Sequence, residues 1–419
     1  MSSDRADKGR IEEGNDMKGT GFRFTLQEFS GSLADLGVMV PLVILLIVKN
    51  GMNPTAILFL AGLLYIVSGI VFKVPVPVQP LKAVSIIAIA SGLAPSVIAA
   101  AGILMGAILL LFSATGFSCL LSRIFTRPII RGIQLGVGVL LVTNGIKMIL
   151  DPKFIRGGGE VILKLAGMDM PIGVVFGIAG AAVVIIFSTS RRFPAALALM
   201  VFGIASGLFF GSYNALQKIA FAPTPLTVVL PTADDFTRAF FLLVLPQIPL
   251  TFGNSIVATS DTAKAYFGAR ACGVTPGRLS FSLGVTNLIA GFIGAAPLCH
   301  GAGGMSAHYR FGARSGSMGV MIGTCLLVLG VLFGKSAPDI FALLPPSILG
   351  IMLVFIGIEH AMLMHDVIDS RQDLFITLAV GTIAGATSNI FAATVVGFFL
   401  ILLFKVTAAS GISREPVTY

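Results

Sequence analysis

Tryptophan is absent from the 419 residues, tyrosine occurs only five times, and charged residues make up only 11% of the chain. A soluble domain of this length needs more charge than this on its surface, so a soluble protein is excluded. The four cysteines occur singly and without C-x-x-C spacing. They therefore indicate neither a zinc site nor a disulfide framework.

Hydrophobic residues make up 56% of the chain and are concentrated in long runs. Because about 20 apolar residues carry a helix across a bilayer, the runs predict an all-α polytopic membrane protein, with fourteen spans. Span 1 is predicted as one helix from about Phe29 to Val48 that contains Asp35, and span 8 as a helix over Phe240–Thr259. Residues 151–170 are predicted to be a polar loop.

The net charge of +9 lies mainly in loops, where it indicates orientation in the membrane and not a nucleic-acid partner. With the N-terminus inside, the short cytoplasmic loops collect lysine and arginine, whereas the short outer loops have none. This distribution predicts a multi-pass protein of a plasma or inner membrane with both termini in the cytoplasm.

Two stretches are too rich in proline or glycine to be ordinary membrane helices. Pro75, Pro77 and Pro80 interrupt span 3, and Pro297 interrupts span 10 within the glycine-rich stretch 294–314. Proline lacks an amide hydrogen and favours extended backbone in the residue before it. Each stretch is therefore predicted to form a short strand followed by a half-helix. The alternative is two proline kinks in packed helices.

These breaks belong to an internal repeat with an offset of about 220 residues. Seven spans per half is an odd number, so the halves must cross the membrane in opposite directions. We predict a cytoplasmic tail (1–23), a first inverted repeat of spans 1–7 (24–213) and a second of spans 8–14 (235–407). Interrupted helices at equivalent positions of inverted repeats indicate a transporter's binding site.

Half-helices that begin near the bilayer centre would direct free amide hydrogens and positive dipole ends at an anion. We predict that the substrate-binding residues come from both broken spans and from the polar face of span 8. They are Gln79, Leu81, Lys82, Asn254, Ser255, His300, Gly301, Ala302, Gly303 and Gly304. No catalytic residue and no cofactor are predicted. A metal site is not predicted either, because the spacing of His360, His365 and Asp366 matches no common metal site.

Several of these side chains have a second interpretation. Lys82 needs a partner, either Asp35 or the substrate, but it could instead extend its ammonium to the membrane surface. Asp35 is a candidate proton carrier or a structural counter-ion of Lys82. His300 is the other candidate for proton coupling, or a ring that is hydrogen-bonded to neighbouring backbone. The polar face of span 8 could serve helix–helix hydrogen bonding.

The sequence of residues 77–82, PVQPLK, and the stretch 297–316, which begins PLCHGAGG, resemble the two signature motifs of the molybdate transporter family of the sulfate-permease superfamily. Residues 32–37 are similar to the span 1 motif of that family, with departures at Ala34 and Val38. The resemblance implies the fold of uracil and sulfate permeases, with fourteen spans in two inverted sevens. It also implies a core domain (spans 1–4 and 8–11) and a gate domain (spans 5–7 and 12–14).

The resemblance further implies a tetrahedral oxyanion substrate, molybdate or sulfate. We therefore predict a secondary active importer, coupled to protons, that works by alternating access of the core against the gate. Its expected partners are the oxyanion, protons and the lipid bilayer, with no nucleic acid and with a homodimer left open.

Three other functions are alternatives to oxyanion import. A nucleobase permease of the same fold is expected to have acidic side chains on spans 8 and 10, which Asn254 and residues 297–304 do not supply. An uncoupled anion channel is the second alternative. An enzyme is not predicted, because the sequence offers no nucleophile–base pair and no metal cluster.

Overall fold

The computed structural model describes residues 22–115, 126–153, 160–165, 168–188, 195–210 and 219–409. This part of the chain is mostly helical and contains six helices that are long and apolar enough to cross a membrane, together with shorter apolar helices. The predicted class of helical membrane protein is confirmed, and the count of fourteen spans stays a prediction. The predicted tail lies almost wholly outside the described residues.

Helices and strands are numbered here in chain order. Up to residue 209 they are α1 (Leu26–Ser32), α2 (Leu36–Asn50), α3 (Pro54–Phe72), β1 (Gln79–Pro80), α4 (Lys82–Ser91), α5 (Pro95–Thr115), α6 (Arg127–Ile149), β2 (Ile162–Leu165), β3 (Met168–Pro171), α7 (Ile172–Ser188) and α8 (Ala195–Phe209). After residue 219 they are α9 (Ala233–Ala271), α10 (Pro276–Ile293), β4 (Leu298–Cys299), α11 (Ala302–Arg310), α12 (Ser317–Phe333), α13 (Ala337–Ala342), α14 (Pro346–Met362), α15 (Arg371–Thr387) and α16 (Ile390–Ala409).

Both broken spans consist of a two-residue strand followed by a half-helix, as the prolines predict. Strands β1 and β4 pair with each other in antiparallel fashion, with Gln79 opposite Cys299 and Pro80 opposite Leu298. The Leu81 amide extends the pairing by donating to the Pro297 carbonyl at 2.8 Å. Helices α4 and α11 therefore begin beside each other in the interior of the protein.

Two buried asparagines form hydrogen bonds with backbone groups of the broken spans. Asn287 pairs with Leu298 like a neighbouring strand, accepting its amide hydrogen at 2.6 Å and donating to its carbonyl at 3.0 Å. Asn50 donates to the carbonyls of Ala88 and Leu93 at 2.8 and 2.9 Å, at the end of α4. Unpaired backbone groups at membrane depth cost several kcal/mol each, so these contacts stabilise the irregular segments.

The long helices pack in pairs through small residues. Helix α3 packs on α12, α5 on α10, and α6 on both α14 and α15. A Cβ added to Gly145 would lie 2.5 Å from the Gly350 carbonyl oxygen, and one added to Gly350 would lie 2.5 Å from that of Gly145. Such close backbone approach is typical of membrane helix interfaces. The same reciprocal contact joins Gly62 with Gly323, Gly69 with Gly316, and Gly138 with Gly357.

The prediction of one continuous span 1 is wrong, because α1 ends at Ser32 and α2 begins only at Leu36, after Asp35. The reason is a tertiary contact that sequence alone does not reveal. The His308 ring donates from Nδ1 to the Gly31 carbonyl at 2.8 Å, so this carbonyl is held by α11 near the end of α1. Asp35 consequently lies at the break between two helices and not inside one.

Two further predictions need correction. The segment 151–170, predicted as a polar loop, contains a β-hairpin formed by β2 and β3. Span 8 is not a regular helix, because α9 contains π-helical turns at Phe240–Val244 and Thr251–Ala258. Pro246 and Pro249 lie between these turns and cannot donate the usual backbone hydrogen bonds, so a local change of helix type is expected there.

Candidate functional site

A cavity of about 410 Å³ lies between the broken spans and helices α6 and α14. Its polar and glycine lining consists of Asp35, Gln79, Lys82, Arg131, Gln134, Asn254, Gly303, Gly304, Arg310, Glu359 and His360. A narrow recess beside it is lined by Lys82, Gln247, Asn254, Ser255, Cys299 and other residues. Another cavity, of about 420 Å³, has almost entirely apolar walls and offers an anion no partner.

The structure brings together most of the predicted site residues, but not all of them. Gln79, Lys82, Asn254, Gly303 and Gly304 line the cavity. Ser255 lines the recess next to it. The remaining predicted residues, which do not line the cavity, are Leu81, His300, Gly301 and Ala302.

His300 lies behind the site, with no part of its side chain exposed. Its Nδ1 is 2.8 Å from the Pro77 carbonyl oxygen, and its ring packs edge-on against Phe72 with the centroids 6.1 Å apart. This contact with the backbone corresponds to the alternative interpretation of His300, in which the ring is bonded to neighbouring backbone.

The N-terminus of α4 is capped by the protein itself. Gln247 of α9 accepts hydrogen bonds through Oε1 from the amides of Ala83 at 2.8 Å and Val84 at 3.2 Å. Its Nε2 donates to the Thr251 hydroxyl at 3.0 Å, which fixes the orientation of the side-chain amide. A neutral oxygen therefore occupies the position at this helix end that an anion could otherwise take.

The N-terminus of α11 is arranged differently. Gly301 is its N-cap residue, and Gly303 in the first turn is exposed to the cavity. A Cβ added to Gly303 would meet no atom within 4 Å, whereas one added to Gly304 would lie 2.8 Å from Asp35 Oδ2. Because the first amides of a helix have no intrahelical acceptor, this helix end presents donors and a positive dipole beside the cavity.

Three polar side chains follow the first turn of α11. Gln79 donates through Nε2 to Asp35 Oδ1. The other oxygens of this pair, Asp35 Oδ2 and Gln79 Oε1, are buried and accept no hydrogen bond from any described residue. A Cβ added to Gly301 would lie 3.5 Å from both Gln79 Oε1 and Asn254 Nδ2, so the three side chains lie in a row along this helix.

The charged groups around the cavity have both signs. Lys82, the first residue of α4, is half-buried and faces the cavity. Within the described residues, Arg131 forms a salt bridge with Asp366. Lys82 forms no salt bridge with Asp35 there. Arg131 donates through Nε to both carboxylate oxygens of Asp366, at 2.8 and 3.0 Å, and through Nη1 to Gln134 at 2.9 Å.

Sequence reasoning missed the side of the cavity formed by α6 and α14. Arg131, Gln134 and Glu359 line the cavity but do not belong to a broken span. The available signal was a polar glutamine within the apolar run of α6. His360 was considered only as a metal ligand, and the described residues contain no group of three or more histidine, cysteine or acidic side chains that could hold a metal ion.

Comparison with known proteins gives consistent results. The family model described as "Molybdate transporter of MFS superfamily" matches residues 27–141 and 239–359. Molybdate transporter 2 of Arabidopsis thaliana is 32% identical over 412 residues, which cover 90% of this chain and 87% of that protein. Molybdate transporter 1 of Chlamydomonas reinhardtii is 27% identical, with 94% of this chain and 95% of that protein covered.

Comparison with solved structures shows that this chain shares its fold with known membrane transporters. The transmembrane domain of a cyanobacterium bicarbonate transporter, BicA, matches with a TM-score of 0.64 and 16% identity, covering 91% of this chain and 98% of that chain. The murine Slc26a9 anion transporter in the inward-facing state matches with a TM-score of 0.63 and 14% identity, covering 93% of this chain and 69% of that chain. The matched family model and the similarity to the plant protein over most of its length show that this chain belongs to the molybdate transporter family, and so to a family of transporters and not of enzymes.

Proposed function

We propose that this chain imports a tetrahedral oxyanion, molybdate or sulfate, as a proton-coupled secondary active transporter. The observation that carries the proposal is the N-terminus of α11, which faces the cavity at Gly303, beside Lys82 and Asn254. Backbone amides, an ammonium and a side-chain amide can together donate hydrogen bonds to several oxygens of one anion. The names of the similar plant and algal proteins favour molybdate.

The glycines give this site its selectivity for shape. Gly303 carries no side chain into the cavity, so an oxyanion can approach the backbone to hydrogen-bonding distance. Backbone donors are fixed before the anion binds, which reduces the ordering cost of binding. We propose that Ser255, Gly301 and Ala302 also contribute to anion binding near the N-terminus of α11. Leu81 and His300 do not line the cavity, and we propose that they support the residues that do.

The packing of the helices supports two inverted repeats of seven spans. Under an offset of about 220 residues α3 corresponds to α10, α5 to α12, and α4 to α11. The observed pairs α3 with α12 and α5 with α10 exchange under this operation, and β1 with β4 maps onto itself. We therefore retain the predicted repeats, 24–213 and 235–407, as part of the proposal.

The position of the cavity supports alternating access. Its walls come from α2, β1, α4, α9 and α11 on one side, which belong to the proposed core domain, and from α6 and α14 on the other, which belong to the proposed gate domain. A movement of one domain against the other would change which membrane face the anion can reach. In the proposed orientation both termini lie in the cytoplasm, and import carries the anion to that side of the membrane.

Asp35 is the proton carrier that we propose. Its carboxylate reaches the cavity, contacts Gln79 and has no ion-pair partner within the described residues, whereas His300 is outside the cavity lining. A proton on this carboxyl would offset part of the charge that a divalent anion brings into the membrane.

The proposal is tested by uptake of labelled sulfate into proteoliposomes, in competition with molybdate, tungstate and uracil, with and without an inward proton gradient. We expect the tetrahedral oxyanions to compete, uracil to have no effect, and the gradient to accelerate uptake. Uptake of labelled uracil without any uptake of sulfate would favour a nucleobase permease. Fast oxyanion flux that ignores the gradient would favour an uncoupled channel.

A further inference from the structure

The row formed by Asp35, Gln79 and Asn254 connects the proposed proton site to the proposed anion site. Gln79 stands in the middle, with Nε2 towards Asp35 and Oε1 near Gly301 and Asn254. We infer that Gln79 is a switch whose side-chain amide rotates with the protonation state of Asp35 and thereby makes oxyanion binding depend on a proton. This inference rests on the proposed function and names how its coupling works.

When Asp35 is ionised, the orientation of Gln79 is dictated by chemistry. A carboxylate can only accept hydrogen bonds, so the glutamine must direct its NH₂ group at Asp35 and its carbonyl oxygen away from it. The oxygen then lies at the first turn of α11, 3.5 Å from the position of a Cβ on Gly301. An oxygen in this place offers an oxyanion no donor, and two acceptors facing each other repel.

When Asp35 takes up one proton, its charge changes from −1 to zero and its hydroxyl becomes a donor. The hydroxyl can then donate to Gln79 Oε1 once the amide has turned by half a rotation. Nε2 now faces Gly301 and Asn254, where it can donate to an oxygen of the anion. One proton bound at Asp35 thus adds one donor at the anion site and removes one negative charge near it.

The surroundings of Gln79 allow this rotation. Both ends of its amide lie against glycines of α11, with Nε2 2.9 Å from the position of a Cβ on Gly304 and Oε1 3.5 Å from that on Gly301. Its Oε1 accepts no hydrogen bond from any described residue, so turning it breaks a single bond, the one to Asp35. A side chain at residue 304 would occupy the space of the NH₂ group.

Other titratable and charged groups also surround Asp35, and the test must separate them from it. The elements that contribute them are α3, α4, β4, α6, α11 and α14. The groups are Tyr65, Lys82, Cys299, Arg131, His308, Arg310, Glu359 and His360. None of them contacts Gln79 through a hydrogen bond in the described part of the chain, so a change at Gln79 should leave their own titrations in place.

The test measures the affinity of the purified protein for labelled sulfate and for molybdate at neutral and at mildly acidic pH. Sulfate stays divalent across this range, so a pH effect on its binding comes from the protein. For the wild type we expect affinity to rise as the pH falls, by up to about tenfold per pH unit for one linked proton. Gln79→Met keeps the size of the side chain and removes both its donor and its acceptor. We expect the affinity of Gln79→Met to change with pH clearly less than that of the wild type, because only the effect of the charge on Asp35 remains.

Two further variants complete the design. Gln372→Met makes the same substitution at an exposed glutamine of α15 and should keep the full pH dependence of the wild type. Asp35→Asn supplies an amide that can donate permanently to Gln79 Oε1, so it should bind sulfate at neutral pH as tightly as the wild type does in mild acid. Melting temperatures of all samples check folding.

The outcomes are distinct. A Gln79→Met protein that retains the wild-type pH dependence overturns the switch, and so does an Asp35→Asn protein whose affinity still follows pH. A folded Gln79→Met protein that binds too weakly to measure at neutral pH, where the wild type binds, also overturns the switch, because Gln79 should give the anion no donor while Asp35 is ionised. If the wild type binds sulfate and molybdate with affinities that do not change with pH, the switch is overturned, but oxyanion transport is not. A wild type that binds neither anion overturns the proposed function as well.

Discussion

Gln247 accepts the amide hydrogen of Ala83 at 2.8 Å, so one of the two half-helices that meet inside the protein is capped by a neutral side chain. The other half-helix, α11, directs its first turn at the cavity through Gly303. The two broken spans both consist of a short strand and a half-helix, but they differ in what the N-termini of their half-helices contact. We therefore expect the anion to be held mainly by α11, with Lys82 as the contribution of α4.

Removing the cap should affect stability more than anion binding. Gln247→Leu leaves the buried amides of Ala83 and Val84 without an acceptor, and an unsatisfied buried group costs about 1–3 kcal/mol. We expect a clearly lower melting temperature without ligand. Gln247→Glu is the matched variant: its carboxylate can still accept from both amides, so stability should recover, while its negative charge beside the recess should weaken sulfate binding. Equal melting temperatures for the leucine variant and the wild type would contradict the role of Gln247 as a cap.

Lys82 should contribute to binding and not to folding. Its side chain faces the cavity and forms no salt bridge among the residues described. A hydrogen bond to a charged group is worth about 1.5–3 kcal/mol, so Lys82→Ala should weaken sulfate and molybdate binding by roughly 10- to 100-fold. Isothermal titration of the variant measures this loss. Lys335→Ala, which removes an exposed lysine, is the control and should bind normally. Unchanged affinity in Lys82→Ala would mean that the ammonium extends to the membrane surface.

The close packing of α6 on α14 should be sensitive to a single methyl group. A Cβ on Gly145 would lie 2.5 Å from the Gly350 carbonyl oxygen, so Gly145→Ala must push the two helices apart. Overpacking of this kind costs about 1–3 kcal/mol, and we expect a lower melting temperature. The control is Gly277→Ala in α10, where no atom lies within 4 Å of the added Cβ and the melting temperature should hold or rise. A similar loss in both variants would argue against close packing at Gly145.

The sequence was sufficient to predict the two breaks because proline has a local effect. Pro80 and Pro297 lack the amide hydrogen of a regular helix and lie in stretches rich in proline or glycine, whereas the isolated Pro41 is accommodated inside α2. Strands and half-helices therefore appear where they were expected, with α4 beginning at Lys82 and α11 at Ala302. The pairing of β1 with β4 was not predicted, since two-residue strands carry no signal of their partner.

Features that depend on tertiary contact were not predictable in the same way. The break before Asp35 contains no proline and arises where His308 donates a hydrogen bond to the carbonyl of Gly31. Gln247 is a polar residue within the predicted span 8, but its contact with α4 requires knowledge of how α9 lies across the half-helix. The lining by Arg131 and Glu359 comes from spans whose sequence patterns are otherwise those of ordinary membrane helices.

The central claim, that the anion is held by the backbone at the N-terminus of α11, is tested most directly with Gly303→Ala. Nothing lies within 4 Å of the added Cβ, and alanine favours a helix over glycine by about 1 kcal/mol, so the melting temperature without ligand should hold or rise. The methyl group would project into the cavity, so binding should weaken markedly, and more for molybdate and tungstate than for the smaller sulfate. Both quantities are to be measured on the same purified sample. A variant that melts far lower yet binds normally would contradict the claim, because Gly303 would then serve packing and the anion site would lie elsewhere.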